Sequence, residues 1–214
     1  MKSITKQKPF DEIKEQLADL DRLFIIGCGT CTTMTHTGGI DEVLEMRDRL
    51  RELGKRVSGW MVIPTACDEM TEVALKENSR AIDDASCILA MPCALAVQRI
   101  SSYINKPVIP ALDTLFIALE ETPGNFHEVC AQCGQCIIGE TAGICPITTC
   151  HKGLVNGPCG GTNNGKCEVD PEKDCAWTLI YERLKAQGRL DLMKKYHPPH
   201  NFQVMPRPRI VRVE

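Results

Sequence analysis

Aromatic side chains are scarce in this 214-residue chain, at 5% of the total. Few large side chains are available to fill a core, so part of the fold needs another kind of staple. A charge excess of either sign is also missing: 25 Lys and Arg stand against 28 Asp and Glu, a formal net charge of −3. That balance gives no support to a nucleic-acid backbone binder. Long hydrophobic runs are lacking too. The longest, residues 87–97, is broken by Pro92 and falls short of the roughly 20 apolar residues that span a bilayer. The early lysines Lys2, Lys6 and Lys8 are not followed by the apolar stretch of a secretory signal. These absences predict a cytoplasmic protein with no membrane span. No Ser/His/Asp arrangement and no carboxylate pair stands out as a catalytic centre. At 43% hydrophobic residues the chain is still apolar enough to bury a core, which excludes disordered and collagen-like classes.

What the chain has in quantity is cysteine, 13 in all. In a reducing compartment this points to metal or redox cofactors rather than disulfides, and an odd count does not suit a fully paired framework. Five thiols (Cys28, Cys31, Cys67, Cys87 and Cys93) are spread over residues 1–124. Eight (Cys130, Cys133, Cys136, Cys145, Cys150, Cys159, Cys167 and Cys175) crowd into residues 125–175. The composition changes at Thr122-Pro123-Gly124-Asn125. Three parts are expected: an α/β domain over 1–124, a Cys-rich module with a closing helix over 125–188, and a proline-rich tail over 189–214.

The first part reads as alternating strands and helices. The continuous apolar run at 23–26 suits a buried parallel strand, and further strands are expected over 57–63, 87–91 and 108–109. Helical spacing predicts helices over 10–20, 40–53, 69–82 and 94–104, with Ile40, Val43, Leu44, Leu50 and Leu53 inward in the second. Gly54 stops that helix. The order β-α-β-α-β-α-β predicts a Rossmann-like parallel sheet with right-handed crossovers and helices on both faces. Residues 125–175 have little periodicity and should fold around metal. A helix over 175–187 follows, carrying Trp177, Ile180, Tyr181 and Leu184. The tail is expected to be extended, draped over a partner or over the first domain.

Two cysteine constellations emerge. Cys28 and Cys31, in Gly27-Cys-Gly-Thr-Cys, directly follow the first predicted strand. Cys67 follows the second, and Cys93, in Met91-Pro92-Cys93, the third. Ligands of an open parallel sheet bind outside the carboxyl ends of its strands, so these four thiols are expected at one edge. A four-thiolate site suits an iron–sulfur cluster or zinc. The rival readings are a dithiol redox pair at Cys28 and Cys31 and inert thiols. Gly27-x-Gly29 is a weak start of a dinucleotide fingerprint, because Thr32 stands in its third position. His36 reads as an ordinary loop histidine, and Cys87, at the start of its strand, as a small buried hydrophobe.

In the module, Cys130-x2-Cys133-x2-Cys136 matches the opening of a bacterial-ferredoxin run, although the Cys-Pro that usually follows comes late, at Cys145-Pro146. Cys150, Cys159, Cys167 and Cys175 bring the thiols to eight, enough for two [4Fe–4S] clusters. The surrounding glycines let backbone N–H groups approach an anionic cluster. Two zinc sites would use the same thiols, but zinc prefers separated Cys-x2-Cys pairs. Cys130, Cys133 and Cys136 are expected to share one cluster, with a fourth ligand from Cys145 or Cys175.

Further residues carry a family resemblance. They are Cys130-Ala-Gln-Cys133-Gly-Gln-Cys136, Thr141-Ala-Gly-Ile-Cys145-Pro146, Cys150-His-Lys-Gly-Leu-Val-Asn156-Gly-Pro-Cys159-Gly-Gly161 and Gly165-Lys-Cys167-Glu-Val169. This pattern resembles the methylenetetrahydrofolate reductase C-terminal family, best known from the small, MetV-like iron–sulfur subunit of acetogen-type reductases. Gly27-Cys28-Gly29-Thr30-Cys31 with Gly38-Gly39 is similar to the N-terminal half of that subunit. The resemblance implies a subunit that carries electrons and binds no flavin by itself. Its partner would be a flavin-containing barrel subunit that reduces methylene- to methyltetrahydrofolate in anaerobic one-carbon metabolism (the Wood–Ljungdahl, or acetyl-CoA, pathway). It also implies an upstream donor, either ferredoxin or a flavoprotein complex. Two or three [4Fe–4S] clusters are expected, with zinc an option at one of the four-cysteine sites. The alternative is a zinc-stabilised scaffold that only holds a partner enzyme.

Overall fold

The computed structural model describes residues 2–205 and 207–208, which form two compact units dividing after His127. The first unit contains, in chain order, β1 (Lys2–Gln7), α1 (Phe10–Gln16), β2 (Arg22–Cys28), α2 (Cys31–Met34), α3 (Ile40–Glu52), β3 (Arg56–Ile63), α4 (Met70–Glu77), α5 (Ser79–Asp84), β4 (Cys87–Ala90), α6 (Ala94–Ser101), β5 (Val108–Pro110), β6 (Leu112–Thr122) and β7 (Asn125–His127). The strands β3-β2-β4-β5 form a parallel sheet in that order.

The alternation of β2 explains the layering. Leu23 and Ile25 face one side and pack with α1 and α3 through Ile13, Leu17, Val43, Met46 and Leu50. Phe24, Ile26 and Cys28 face the other side, where Leu75, Ile82, Ala96 and Ile100 from α4, α5 and α6 cover them. A strand buried on both faces has no polar side to show, hence the unbroken apolar run. The mixed α/β fold and the parallel sheet flanked by helices thus follow the sequence reading.

Several local details differ. The helix expected over 69–82 is broken into α4 and α5 at Asn78, whose side-chain amide donates to the Ala74 carbonyl at 2.9 Å. Asparagine offers the backbone a competing partner, and here that ends the turn. Ile40 and Leu53 are exposed at the two ends of α3, while Met46 joins Val43 and Leu50 in the core. A second sheet, β1-β6-β7, is wholly antiparallel and had no counterpart in the sequence reading. The composition break at residues 122–125 falls in the tight turn between β6 and β7.

The second unit has little regular structure: α7 (Pro146–Thr149), α8 (Ala176–Ala186) and two 3-10 turns, Leu190–Lys194 and Phe202–Val204. Ile144, Trp177, Ile180 and Leu184 make its small core, and Leu192 and Met193 pack against it. Tyr181 is exposed rather than inward. Within the expected tail, Leu190–Lys194 and Phe202–Val204 form 3-10 turns, residues 195–200 run without regular structure, and the segment hydrogen-bonds to the second unit itself; residues 206 and 209–214 of that expectation lie outside the described residues. Proline excludes an α-helix here, but it does not prevent single turns closed by side chains. Among the described residues, no helix is long and apolar enough to cross a membrane.

Candidate functional site: three sets of thiols

The parallel sheet runs from β2 to β3 on one side and returns to β4 on the other. The carboxyl ends of β2 and β4 therefore flank the topological switch point, the usual ligand crevice of an open sheet. Cys28 is the last residue of β2 and Cys93 caps the N-terminus of α6, just beyond β4; each is 5% exposed. Cys31 opens α2, and Cys67 lies exposed in the loop after β3.

The loop carrying Cys28 and Cys31 is tightly held. The Cys28 carbonyl accepts hydrogen bonds from the Thr32 and Thr33 hydroxyls at 3.2 and 2.7 Å. The Cys28 N–H donates to the Gly38 carbonyl at 3.0 Å. Position 38 must be glycine because a Cβ there would collide with the Met91 carbonyl. At the same end, the Ala94 N–H donates to Thr114 Oγ1 of β6 at 2.8 Å.

Burial pushes the Cys67 thiol up, and the charges of Cys93, Cys28 and Cys31 act in the same direction. All four thiols stand at or just beyond the carboxyl ends of β2, β3 and β4. Cys87 is elsewhere, fully buried in the core beside Leu89. His36 has φ 51° and a side chain in solvent, 3.9 Å from Glu42.

In the second unit, Cys150, Cys159, Cys167 and Cys175 line one small cavity of about 20 Å³, together with His151, Lys152, Glu168 and Trp177. Cys175 caps the N-terminus of α8. Burial pushes its thiol up, but donors from the Thr178 and Trp177 backbone and from the Thr178 and Thr162 hydroxyls outweigh this and lower it overall. A helix N-terminus favours a thiolate for the same reason. The Gly161 N–H donates to Cys159 Sγ at 3.4 Å, and that thiol faces Glu168 Oε1 at 3.4 Å. Glu168 is also paired with Lys152, which holds its carboxyl below the usual range.

This grouping leaves Cys130, Cys133, Cys136 and Cys145 as the remaining thiols. The Gln132 N–H donates to Cys130 Sγ at 3.4 Å, the same i to i+2 pattern as at Cys159. Cys145 immediately precedes α7.

Among the described residues, no three His, Cys, Asp or Glu side chains are gathered closely enough to hold a metal ion. The donor sets nonetheless fit soft-metal chemistry: all-sulfur ligands, backbone N–H groups aimed at sulfur, and one thiol of each set (Cys93, Cys145 and Cys175) at a helix N-terminus. The residues that sequence reading passed over are the supports: Thr32, Thr33 and Thr114 in the first unit, and Thr162, Thr178, Lys152 and Glu168 in the second. Only Thr178 left a signal, a hydroxyl three positions after Cys175, where N-terminal helix donors meet.

Fold and thiol placement together define an α/β protein carrying a cysteine-rich module. Residues 109–203 match the family model described as methylene-tetrahydrofolate reductase C terminal. The match spans β6, β7 and all eight module cysteines, whereas Cys28, Cys31, Cys67 and Cys93 lie outside it. It associates this part of the chain with that reductase. No curated protein and no solved structure matches the chain.

Proposed function

We propose that the chain is the MetV-like electron-transfer subunit of a methylenetetrahydrofolate reductase, passing electrons to the flavin of a separate barrel subunit. The observation that carries this reading is the convergence of Cys150, Cys159, Cys167 and Cys175 on one cavity within the family-matched segment. Three ligand sets follow: Cys28, Cys31, Cys67 and Cys93; Cys130, Cys133, Cys136 and Cys145; and Cys150, Cys159, Cys167 and Cys175. Bound [4Fe–4S] clusters would supply one-electron transfer at potentials set by burial and N–H···S bonds.

The chain's own residues have distinct tasks in this scheme. The thiols bind. Gln132, Gly161, Trp177 and Thr178 donate toward sulfur. Cys67, exposed at the sheet edge, faces the side from which a partner can approach. No acid–base centre is needed, because folate chemistry belongs to the partner. An upstream donor of the ferredoxin or flavoprotein class completes the relay, in a cytoplasmic, anaerobic setting.

A second reading has one observation in its favour. The cavity at the Cys150 set is small, about 20 Å³, and four thiolates around one ion are also the coordination of a structural zinc site. Anaerobic purification with iron, sulfide and zinc counted per chain, followed by EPR after dithionite, separates the readings. About twelve irons support three clusters; about eight irons with one zinc support the mixed case. Zinc without iron would leave only a scaffold role, and failure to co-purify with a flavin-containing subunit would remove the reductase assignment.

A further inference from the structure

Residues 195–205 contain no cysteine, yet they are tied to loops that do. Asn156 stands three positions before Cys159. Its Oδ1 accepts the His197 N–H at 2.7 Å and its Nδ2 donates to the His197 carbonyl at 2.8 Å. This pair of bonds imitates strand pairing and holds the segment in one register. Glu140, between Cys136 and Cys145, pairs with Lys195, and its second oxygen lies 3.4 Å from His197 Nε2.

Farther along, Gln135 stands between Cys133 and Cys136. Its Oε1 accepts the Asn201 N–H at 2.9 Å. Asn201 Oδ1 in turn accepts the Gln203 N–H at 3.0 Å, which closes the turn Phe202–Val204 over Gly134. Gly134 has φ 76°, and a Cβ there would lie 3.1 Å from Met205 and 3.2 Å from Val204. The segment is thus fastened at one end to the loop of Cys159 and at the other to the loop of Cys133 and Cys136.

We infer that residues 195–205 form a strap that fixes the two thiol loops of the module relative to each other, with Asn156 and Gln135 as its positioning residues. Neither side chain bonds a sulfur; the Gln135 backbone carbonyl accepts the Cys133 thiol at 3.6 Å, a contact that a side-chain substitution leaves in place, so each side chain acts through the strap. The strap buries little, so its hold depends on these directed bonds rather than on apolar area. Its consequence for electron passage rests on the metal reading above, whereas its mechanical role does not.

The test uses the full chain in two arms. Hydrogen exchange is followed by mass spectrometry in the parent and in the variant Asn156→Ala with Gln135→Ala. Losing three directed hydrogen bonds should speed exchange by about tenfold or more in peptides covering 128–139 and 153–162, with α8 unchanged. Asn156→Asp with Gln135 retained keeps one acceptor and should fall between. If only 195–205 speeds up while both loops hold their rates, the strap fixes nothing and the inference is overturned. In the second arm, iron release to a chelator should quicken by a similar factor in the double variant; an unchanged rate would also overturn it. An iron-free parent would count against the metal reading alone, and the exchange arm would still decide the strap.

Discussion

Cys87 lies fully buried on β4 among Leu23, Ile25 and Leu89. Burial pushes its thiol from the ordinary 9.0 up to about 11, with Lys55 pulling weakly the other way. Because the folded value is raised, the neutral thiol's contribution to stability is complete below pH 9. It is lost as pH climbs from about 9 through about 11. A shift of this size corresponds to about 2–3 kcal/mol. Cys87→Ala should cost about 1 kcal/mol at pH 8 and flatten the fall in stability between pH 9 and 11, as read by urea unfolding at each pH. An equally steep fall in the variant would show that other groups are responsible. Iron content should not change in Cys87→Ala. In Cys28→Ser or Cys167→Ser it should drop by about four atoms per chain if each holds a cluster; equal iron in all three variants would dissolve the proposed sets. Sequence alone suggested the separation of Cys87 from its neighbours, because it begins a strand and the others follow strand ends.

At the scale of elements, legibility depended on which face carried the apolar residues. The strands β2 and β4 announced themselves by continuous hydrophobic runs, and β3 by an apolar stretch interrupted only at Ser58 and Gly59. β1 did not, because the residues it buries are Ser3 and Thr5. β6 was hidden for the opposite reason: Leu115 and Leu119 are exposed while Leu112 and Ala118 are buried, so both faces look apolar and period-two contrast vanishes. The buried polar face of β1 has a purpose. Thr5 Oγ1 shares a hydrogen bond with Thr37 Oγ1 at 2.6 Å, tying β1 to the loop that follows Cys28 and Cys31. Thr5→Val keeps the shape and removes the bond, so it should destabilise the protein by about 1–2 kcal/mol and speed amide exchange in residues 31–38. Denaturant unfolding together with exchange measures both, and a variant as stable as the parent would assign the holding role to Thr32 and Thr35 instead.

At the scale of the whole molecule, the two units rely on different kinds of cohesion. The first has an apolar layer on each face of its parallel sheet, and that arrangement could be read from the strand–helix order. Among its described residues the second has Ile144, Trp177, Ile180 and Leu184 as a small core, so its eight thiols signalled a module in need of cross-links. Which of them line one cavity was not legible, because nothing in the spacing shows which loops return to the same place; helix α8 brings Cys175 to the cavity that Cys150, Cys159 and Cys167 also line. If metal supplies the missing cohesion, stripping it anaerobically with a chelator should loosen the second unit and spare the first. Trp177 reports on this, being 5% exposed with its indole N–H bonded to the Leu154 carbonyl at 2.9 Å. In a Trp60→Phe background, which removes the other indole, Trp177 emission should shift to the red on chelation. Exchange protection should vanish from α8 and persist in β2 and β4. Unchanged emission with metal shown to be gone would mean that the four apolar residues hold this module unaided, and that its cysteines serve chemistry without serving the fold.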